Sequence, residues 1–174
     1  MKINYRPEID GLRAIAVGVV ILYHAEIIIN GNTLFKGGFI GVDIFFVISG
    51  YLITSIIMNE LTHNNSFSFI HFYERRIRRI IPVLLFIILL SIPFAWICLT
   101  PITFVDFSKS ILFSLGFTSN LYFYFSGQEY GALSGLYKPF LHTWSLSVEE
   151  QFYLIFPVML FMIFKYLRKK IFLI

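Results

Sequence analysis

Long apolar runs dominate this chain and restrict it more than any other feature. They cover Leu12–Ile29, Phe39–Met58 and Pro82–Leu99, with a shorter run at Phe152–Tyr166. About 18–20 apolar residues, rising about 1.5 Å each as a helix, cross the ~30 Å hydrocarbon layer of a bilayer. Only 14% of the 174 residues are charged, against about 25% in ordinary soluble domains. Lipid is the environment such a surface fits. The 21 Phe and 10 Tyr suit lipid-facing helices and interfacial belts. Alternation of period two is absent, so a β-barrel is not expected. The reading is an all-α fold, a polytopic transmembrane helical bundle.

Leu12–Ile29 is too long for a signal-peptide core, and no small-x-small cleavage site follows it, so it is expected to be retained as the first span. Asp10 is placed to cap it. Asn30–Gly38 reads as a loop, and Asn59–Ser68 as a polar connection. Pro82 opens the third run, and a Gly/Ser/Tyr-rich loop extends to about Pro139. The basic clusters set topology, not nucleic-acid binding, because they border the apolar runs. Lys2, Arg6 and Arg13 put the N-terminus in the cytoplasm, and Arg75, Arg76, Arg78 and Arg79 return to that side after the second span. If Phe107–Phe125 crossed fully, the basic patch Lys165–Lys170 would fall outside. That segment is therefore expected to be re-entrant or interfacial, with His142–Gln151 near the outer face. Cys98 is the one cysteine, so the chain has no disulfide framework, and no HExxH or CxxC spacing suggests a metal.

Ionisable residues within spans are functional candidates. Arg13 and His24 are separated by about three helical turns plus 20°, so they share one face with their Cα atoms ~16 Å apart. Arg13 fits a snorkelling anchor or a functional cation. His24 fits an interhelical hydrogen-bonder or a general base. Asp43, about a turn into the second run, fits an interfacial carboxylate or a partner fixing the imidazole tautomer. Ser49-Gly50 fits close helix packing or close approach to a ligand. Arg75–Arg79 suits anchoring or phosphate binding. His142–Gln151 collects His142, Ser147, Glu149 and Glu150 beside an apolar run, and Ser147-x-x-Glu150 also fits a helix capping box. His63 and His71 read as surface residues.

Four blocks, in order, resemble the acyltransferase family 3. They are Tyr5–Ala14 with Arg13-x10-His24; Gly37–Leu52, containing Asp43-Ile44-Phe45-Phe46-Val47-Ile48-Ser49-Gly50; Phe72–Pro82 with its four arginines; and His142–Pro157. The resemblance covers the whole chain, 1–174, as the N-terminal portion of a membrane domain of about ten spans. It implies the first four to five membrane segments, and hence a truncated product or a partial sequence. It further implies transfer of an acyl group, acetyl above all, from acyl-CoA to a hydroxyl of an envelope glycan such as lipopolysaccharide or peptidoglycan. On that resemblance His24 is the base or transient acyl carrier, Arg13 its partner and Asp43 its orienting group. Phe45, Phe46, Ser49, Gly50 and the arginine cluster match donor-associated regions. His142, Ser147, Glu149 and Glu150 are assigned to the acceptor. Acyl-CoA enters as co-substrate, with no permanently bound cofactor, and the implied partners are the bilayer, the glycan and the remaining spans. The expected location is the inner (plasma) membrane. A transporter using His24 and Asp43 as a proton relay, and an inactive remnant, are the alternative readings.

Overall fold

A computed structural model describes residues 6–29, 32–64, 66–128, 135 and 138–171. Outside the described residues lie Lys2 and Tyr5, Asn30 and Gly31 of the first loop, most of the Gly/Ser/Tyr-rich loop (129–134, 136 and 137), and residues 172–174. The side chains of Arg168, Lys169 and Lys170 lie outside them too. The described chain is helical apart from one two-stranded ribbon. It runs α1 (Pro7–His24), β1 (Ile28–Ile29), β2 (Asn32–Thr33), α2 (Ile40–Asn64), α3 (Phe69–Cys98), α4 (Pro101–Leu115), α5 (Ser119–Gly127) and α6 (Thr143–Ile171). Three helices are long and apolar enough to cross a membrane: Ile40–His63, Phe69–Cys98 and Thr143–Tyr166.

The chain divides into two compact units. The first holds α1, the ribbon, α2 and the residues from Met159 onward. Pro7 starts α1 with its φ already helical, and Glu8 and Asp10 lie in the first turn, at the positive pole of the helix dipole. Arg6, not Asp10, is the N-cap residue, so the expected cap sits one turn inside the helix. The other end also differs from the hydropathy reading. α1 stops at His24 although the apolar run continues to Ile29, because Glu26 takes φ 46° and Ile28–Ile29 pairs antiparallel with Asn32–Thr33. The 18-residue helix also carries three charges, Glu8, Asp10 and Arg13, and is not among the three membrane-length apolar helices.

α2 packs along α1 through glycine. A Cβ added to Gly41 would overlap the Ala16 carbonyl oxygen and lie 2.8 Å from Val20 Cγ2. One on Gly38 would lie 2.6 Å from both Val19 O and Tyr23 Cβ. Absence of a side chain at these two positions lets the backbones meet. Ile53, Ile57 and Leu61 follow at four-residue steps on a single buried face of α2.

The second unit holds α3, α4, α5 and the first half of α6. Ser68 caps α3, accepting from His71 N–H. The helix is continuous for 30 residues, so Pro82 lies inside it instead of opening it, and Pro93 is interior as well. The arginine cluster and the apolar run thus share one rigid element. Leu84, Ile88 and Ala95 of α3 form a core with Phe107 of α4, Phe123 of α5 and Phe140. Val83, Phe86, Leu90 and Ile97 form the exposed apolar stripe opposite, as a lipid-facing surface would.

Phe107–Phe125 is not one helix. Gly116 ends α4, Phe117 takes φ 51°, and α5 restarts at Ser119. With 15 and 9 residues, the two pieces are ~22 and ~14 Å long, each short of the ~30 Å hydrocarbon. α6 begins at Thr143, so most of His142–Gln151 is helix. Ser147-x-x-Glu150 is interior to it, which overturns the capping-box reading.

Candidate functional site

The first unit places Arg13 and His24 on the same unbroken helix, so the shared face holds as geometry. Arg13 is half-buried, and its guanidinium carbon stands 5.0 Å from the Phe45 ring centroid on α2. The aromatic face is a favourable seat for a cation. This contact joins Arg13 to the Phe45-Phe46-x-x-Ser49-Gly50 block, where Ser49 is 4% exposed and its hydroxyl has no hydrogen-bond partner. Arg6 extends the same arrangement. It donates from Nη1 to the Tyr51 hydroxyl at 2.8 Å and pairs through Nε with Glu8 at 2.7 Å.

His24 is exposed, and its Nδ1 lies 2.9 Å from the Val20 carbonyl oxygen one turn back. A carbonyl only accepts, so this bond puts the proton on Nδ1 and leaves the Nε2 lone pair of the neutral ring open. The Tyr23 ring packs edge-on at 5.1 Å. Asp43 was expected to orient the imidazole. It is exposed in the first turn of α2 and makes no hydrogen bond to His24. The orienting group is the Val20 carbonyl, one turn back on the histidine's own helix. Of the two readings open for Ser49-Gly50, close packing does not fit Gly50: a Cβ there would meet nothing within 4 Å, whereas at Gly38 and Gly41 the backbones do meet.

The second unit separates the four arginines. Arg75, Arg78 and Arg79 are exposed, and Arg78 pairs with Glu74 at 2.7 Å. Arg76 turns inward between two rings, with its guanidinium carbon 4.8 Å from the Phe72 centroid and 3.6 Å from that of Tyr153. The Tyr153 hydroxyl donates to Glu149, and the Tyr73 hydroxyl to the Leu154 carbonyl at 2.9 Å. Arg76 Nε and Glu150 Oε1 are both buried without a hydrogen-bond partner.

These contacts seat the start of α3 beside the middle of α6. Phe72 and Tyr153 were assigned no role in the sequence. The Phe72–Arg76 and Glu149–Tyr153 spacings are i, i+4 pairs, but their meeting across two helices leaves no local signal.

Ser147 has a packing role. Its hydroxyl lies 2.7 Å from Ser119 Oγ and accepts from Ser119 N–H at 3.2 Å. Ser119 continues to Thr143 at 3.0 Å, and Thr143 to Ser114 at 2.8 Å. All four residues are buried. Gln151 and Asn120 exchange amide bonds of 3.0 and 3.3 Å, and Gln151 also bonds the Phe117 carbonyl at 2.8 Å. This polar strip fastens α6 to the broken pair α4–α5, as interhelical hydrogen bonds do in lipid. His142 is exposed, stacked on Phe140. Among the described residues no group of His, Cys, Asp or Glu is arranged to hold a metal.

The family model described as an acyltransferase domain matches residues 6–174. A peptidoglycan O-acetyltransferase, OatA, of Listeria monocytogenes is 40% identical over 95% of the chain and 26% of its own length. An O-acetyltransferase, OatA, of Staphylococcus aureus is 38% identical over 90% of the chain and 25% of its own length. The chain thus spans about a quarter of the length of these relatives. No solved structure matches it.

Proposed function

The chain belongs to the acyltransferase 3 family, and from that premise we propose that it moves an acyl group, acetyl first, from acyl-CoA to a hydroxyl of a cell-envelope glycan. The name of the Listeria relative favours peptidoglycan as that glycan. The observation carrying this reading is the α1 face that bears Arg13 and His24, with the imidazole proton held on Nδ1. The Nε2 lone pair takes the proton of the acceptor hydroxyl while its oxygen attacks the thioester carbonyl. The C–O bond forms, the C–S bond breaks, and the proton passes to the departing thiolate, leaving an ester and a free thiol. Arg75 and Arg79 are cations available to the donor's phosphates. Deleting the gene is expected to remove O-acetyl groups from the envelope glycan, read by mass analysis of its fragments before and after mild base. Acetylation unchanged by the deletion would remove the proposal.

The membrane in question is the cytoplasmic membrane, with the N-terminus and the basic clusters inside. In a Cys98→Ser background, single cysteines replacing Ser66 and Arg168 are expected to be shielded from an impermeant thiol reagent in intact cells. One replacing Asn32 is expected to be labelled. Labelling at 168 with shielding at 66 would place the two ends of the α3–α6 segment on opposite sides.

A further inference from the structure

α1 ends before a bilayer would. Its last full charge is Arg13, and from there to His24 the helix rises ~16 Å, about half of the ~30 Å hydrocarbon layer. α2 is different. It is apolar and of membrane length from Ile40 onward, so its first turn lies at a membrane boundary. Gly38 stands against Val19 and Tyr23, and Gly41 against Ala16 and Val20. These contacts set the end of α1 level with the start of α2. The described residues between the two helices are therefore held at that boundary from both ends.

They are apolar and turned outward. Ile27, Ile28 and Ile29 are exposed, Ile28 at 67%, and so are Leu34, Phe35, Phe39 and Ile40. Ile28 and Ile29 point to opposite faces of β1. A strand lying on a protein core would bury one face, and β1 buries neither. Glu26 and Phe35, with φ of 46° and 58°, bracket the ribbon with left-handed turns made without glycine. Two features keep the ribbon out of the hydrocarbon itself. A two-stranded ribbon has outer edges whose N–H and C=O groups need water. Glu26, Asn32 and Lys36 are also exposed beside the apolar residues. Apolar side chains on a hydrated backbone match the boundary between headgroups and acyl chains.

We propose that Ile27, Ile28 and Ile29, with Leu34 and Phe35, form an interfacial anchor that inserts into one leaflet of the bilayer. The anchor holds the end of α1, and with it His24, at headgroup depth. Lipid is the occupant because the surface continues into exposed Phe39, Ile40, Ile44 and Val47, which begin a membrane-length helix. The inference does not rest on acyl transfer. Where both hold, the acceptor hydroxyl meets the imidazole at the membrane surface.

The test uses the full chain with Cys98→Ser and one cysteine carrying the fluorophore NBD. It is reconstituted in vesicles of phosphatidylcholine and phosphatidylglycerol in equal parts. The cysteine replaces Ile28, Asn32 or Val47, all of them exposed. The quenchers are lipids with a doxyl group near the headgroup, lipids with one near the chain end, and aqueous iodide. At 28, the shallow doxyl lipid is expected to quench at least about twofold more than the deep one, as for a side chain buried about 5–10 Å. At 47, about two turns into the span, the order should reverse. At 32, iodide should quench more than either lipid. In the combined variant Ile27→Ser, Ile28→Ser and Ile29→Ser, a label replacing Ala25 should lose about half or more of its shallow-lipid quenching.

Iodide quenching at 28 equal to that at 32, with none from lipid, puts the ribbon in water and overturns the proposal. Quenching at 28 by none of the three means that protein covers it, and overturns it equally. So does a label at 47 that no lipid reaches, since the lipid-facing surface would then not be continuous. Unchanged quenching at 25 in the serine variant removes the anchoring of α1. If the label prevents reconstitution, Ile28→Trp in a Trp96→Phe, Trp144→Phe background, read with brominated lipids, decides in its place. None of these readings involves acetylation, so the anchor and the acyl-transfer reading fail separately.

Discussion

His24→Ala is expected to lower O-acetylation of the envelope glycan by two to four orders of magnitude, about the range a positioned general base contributes. Membrane insertion and yield should be unchanged. His24 is exposed at the last residue of α1, and among the described residues its hydrogen bond is to a carbonyl of its own helix. Its removal therefore leaves no cavity and no unmatched group between helices. Because Nδ1 is already occupied by Val20 O, the whole loss is assigned to Nε2. His24→Asn can donate to the same carbonyl but offers no base, so it should be as inactive as the alanine variant. Asp43→Asn should stay within a few-fold of the unaltered protein, since Asp43 does not touch the imidazole. Mass analysis of the glycan in cells carrying each variant measures all three. Unaltered acetylation with His24→Ala would exclude both the base and the acyl-carrier role. A loss with Asp43→Asn as deep as with His24→Ala would restore Asp43 as the orienting group.

The apolar runs alone identify the class of fold, because lipid permits little besides closed hydrogen bonding within each crossing segment. They do not define the helix ends. Ile27, Ile28 and Ile29 are as apolar as what precedes them, yet the left-handed turn at Glu26 ends α1 five residues before the run does. In the other direction, Phe69–Arg79 is too charged to count as part of a run, but charge does not prevent a helix, and α3 starts there. Hydropathy measures transfer into lipid, and helix formation is a separate property. Phe107–Phe125 shows the intermediate case. Its serines mark it as an odd span, and Gly116 is a visible breaker, but the reason for the serines is the hydroxyl strip with α6. The site divides along the same line. Arg13 and His24 are related by one helix, so counting residues suffices. Arg76 and Tyr153 lie far apart in the chain and meet only across α3 and α6, and no local periodicity encodes that meeting. Asp43 and His24 lie at similar depth in their two runs, but similar depth does not make two residues neighbours, and the hydrogen bond His24 makes is to the Val20 carbonyl.

Gly41→Val should be the most damaging single substitution in the first unit. The added Cβ meets the Ala16 carbonyl oxygen and the Val20 side chain. The valine side chain can turn away by changing rotamer, but the Ala16 carbonyl is fixed in the α1 backbone. Relief therefore requires α1 to move off α2. Overpacking costs about 1–3 kcal/mol where side chains can adjust, and more where they cannot. Gly50→Ala is the control on the same helix. Nothing lies within 4 Å of the new Cβ, and alanine favours a helix over glycine by about 1 kcal/mol in water. Gly50→Ala should keep or slightly raise the thermal midpoint of the detergent-solubilised protein. Gly41→Val should lower it by several degrees or leave only polydisperse material, with Gly41→Ala between the two. The same displacement would shift Arg13 from Phe45 and Val20 from its seat, and the Val20 carbonyl holds His24. Acetyl transfer should therefore fall in Gly41→Ala by more than the loss of folded protein accounts for. A midpoint for Gly41→Val equal to that of the unaltered protein would mean that α1 and α2 do not meet at Gly41. The position of Arg13 against Phe45 would then need another support.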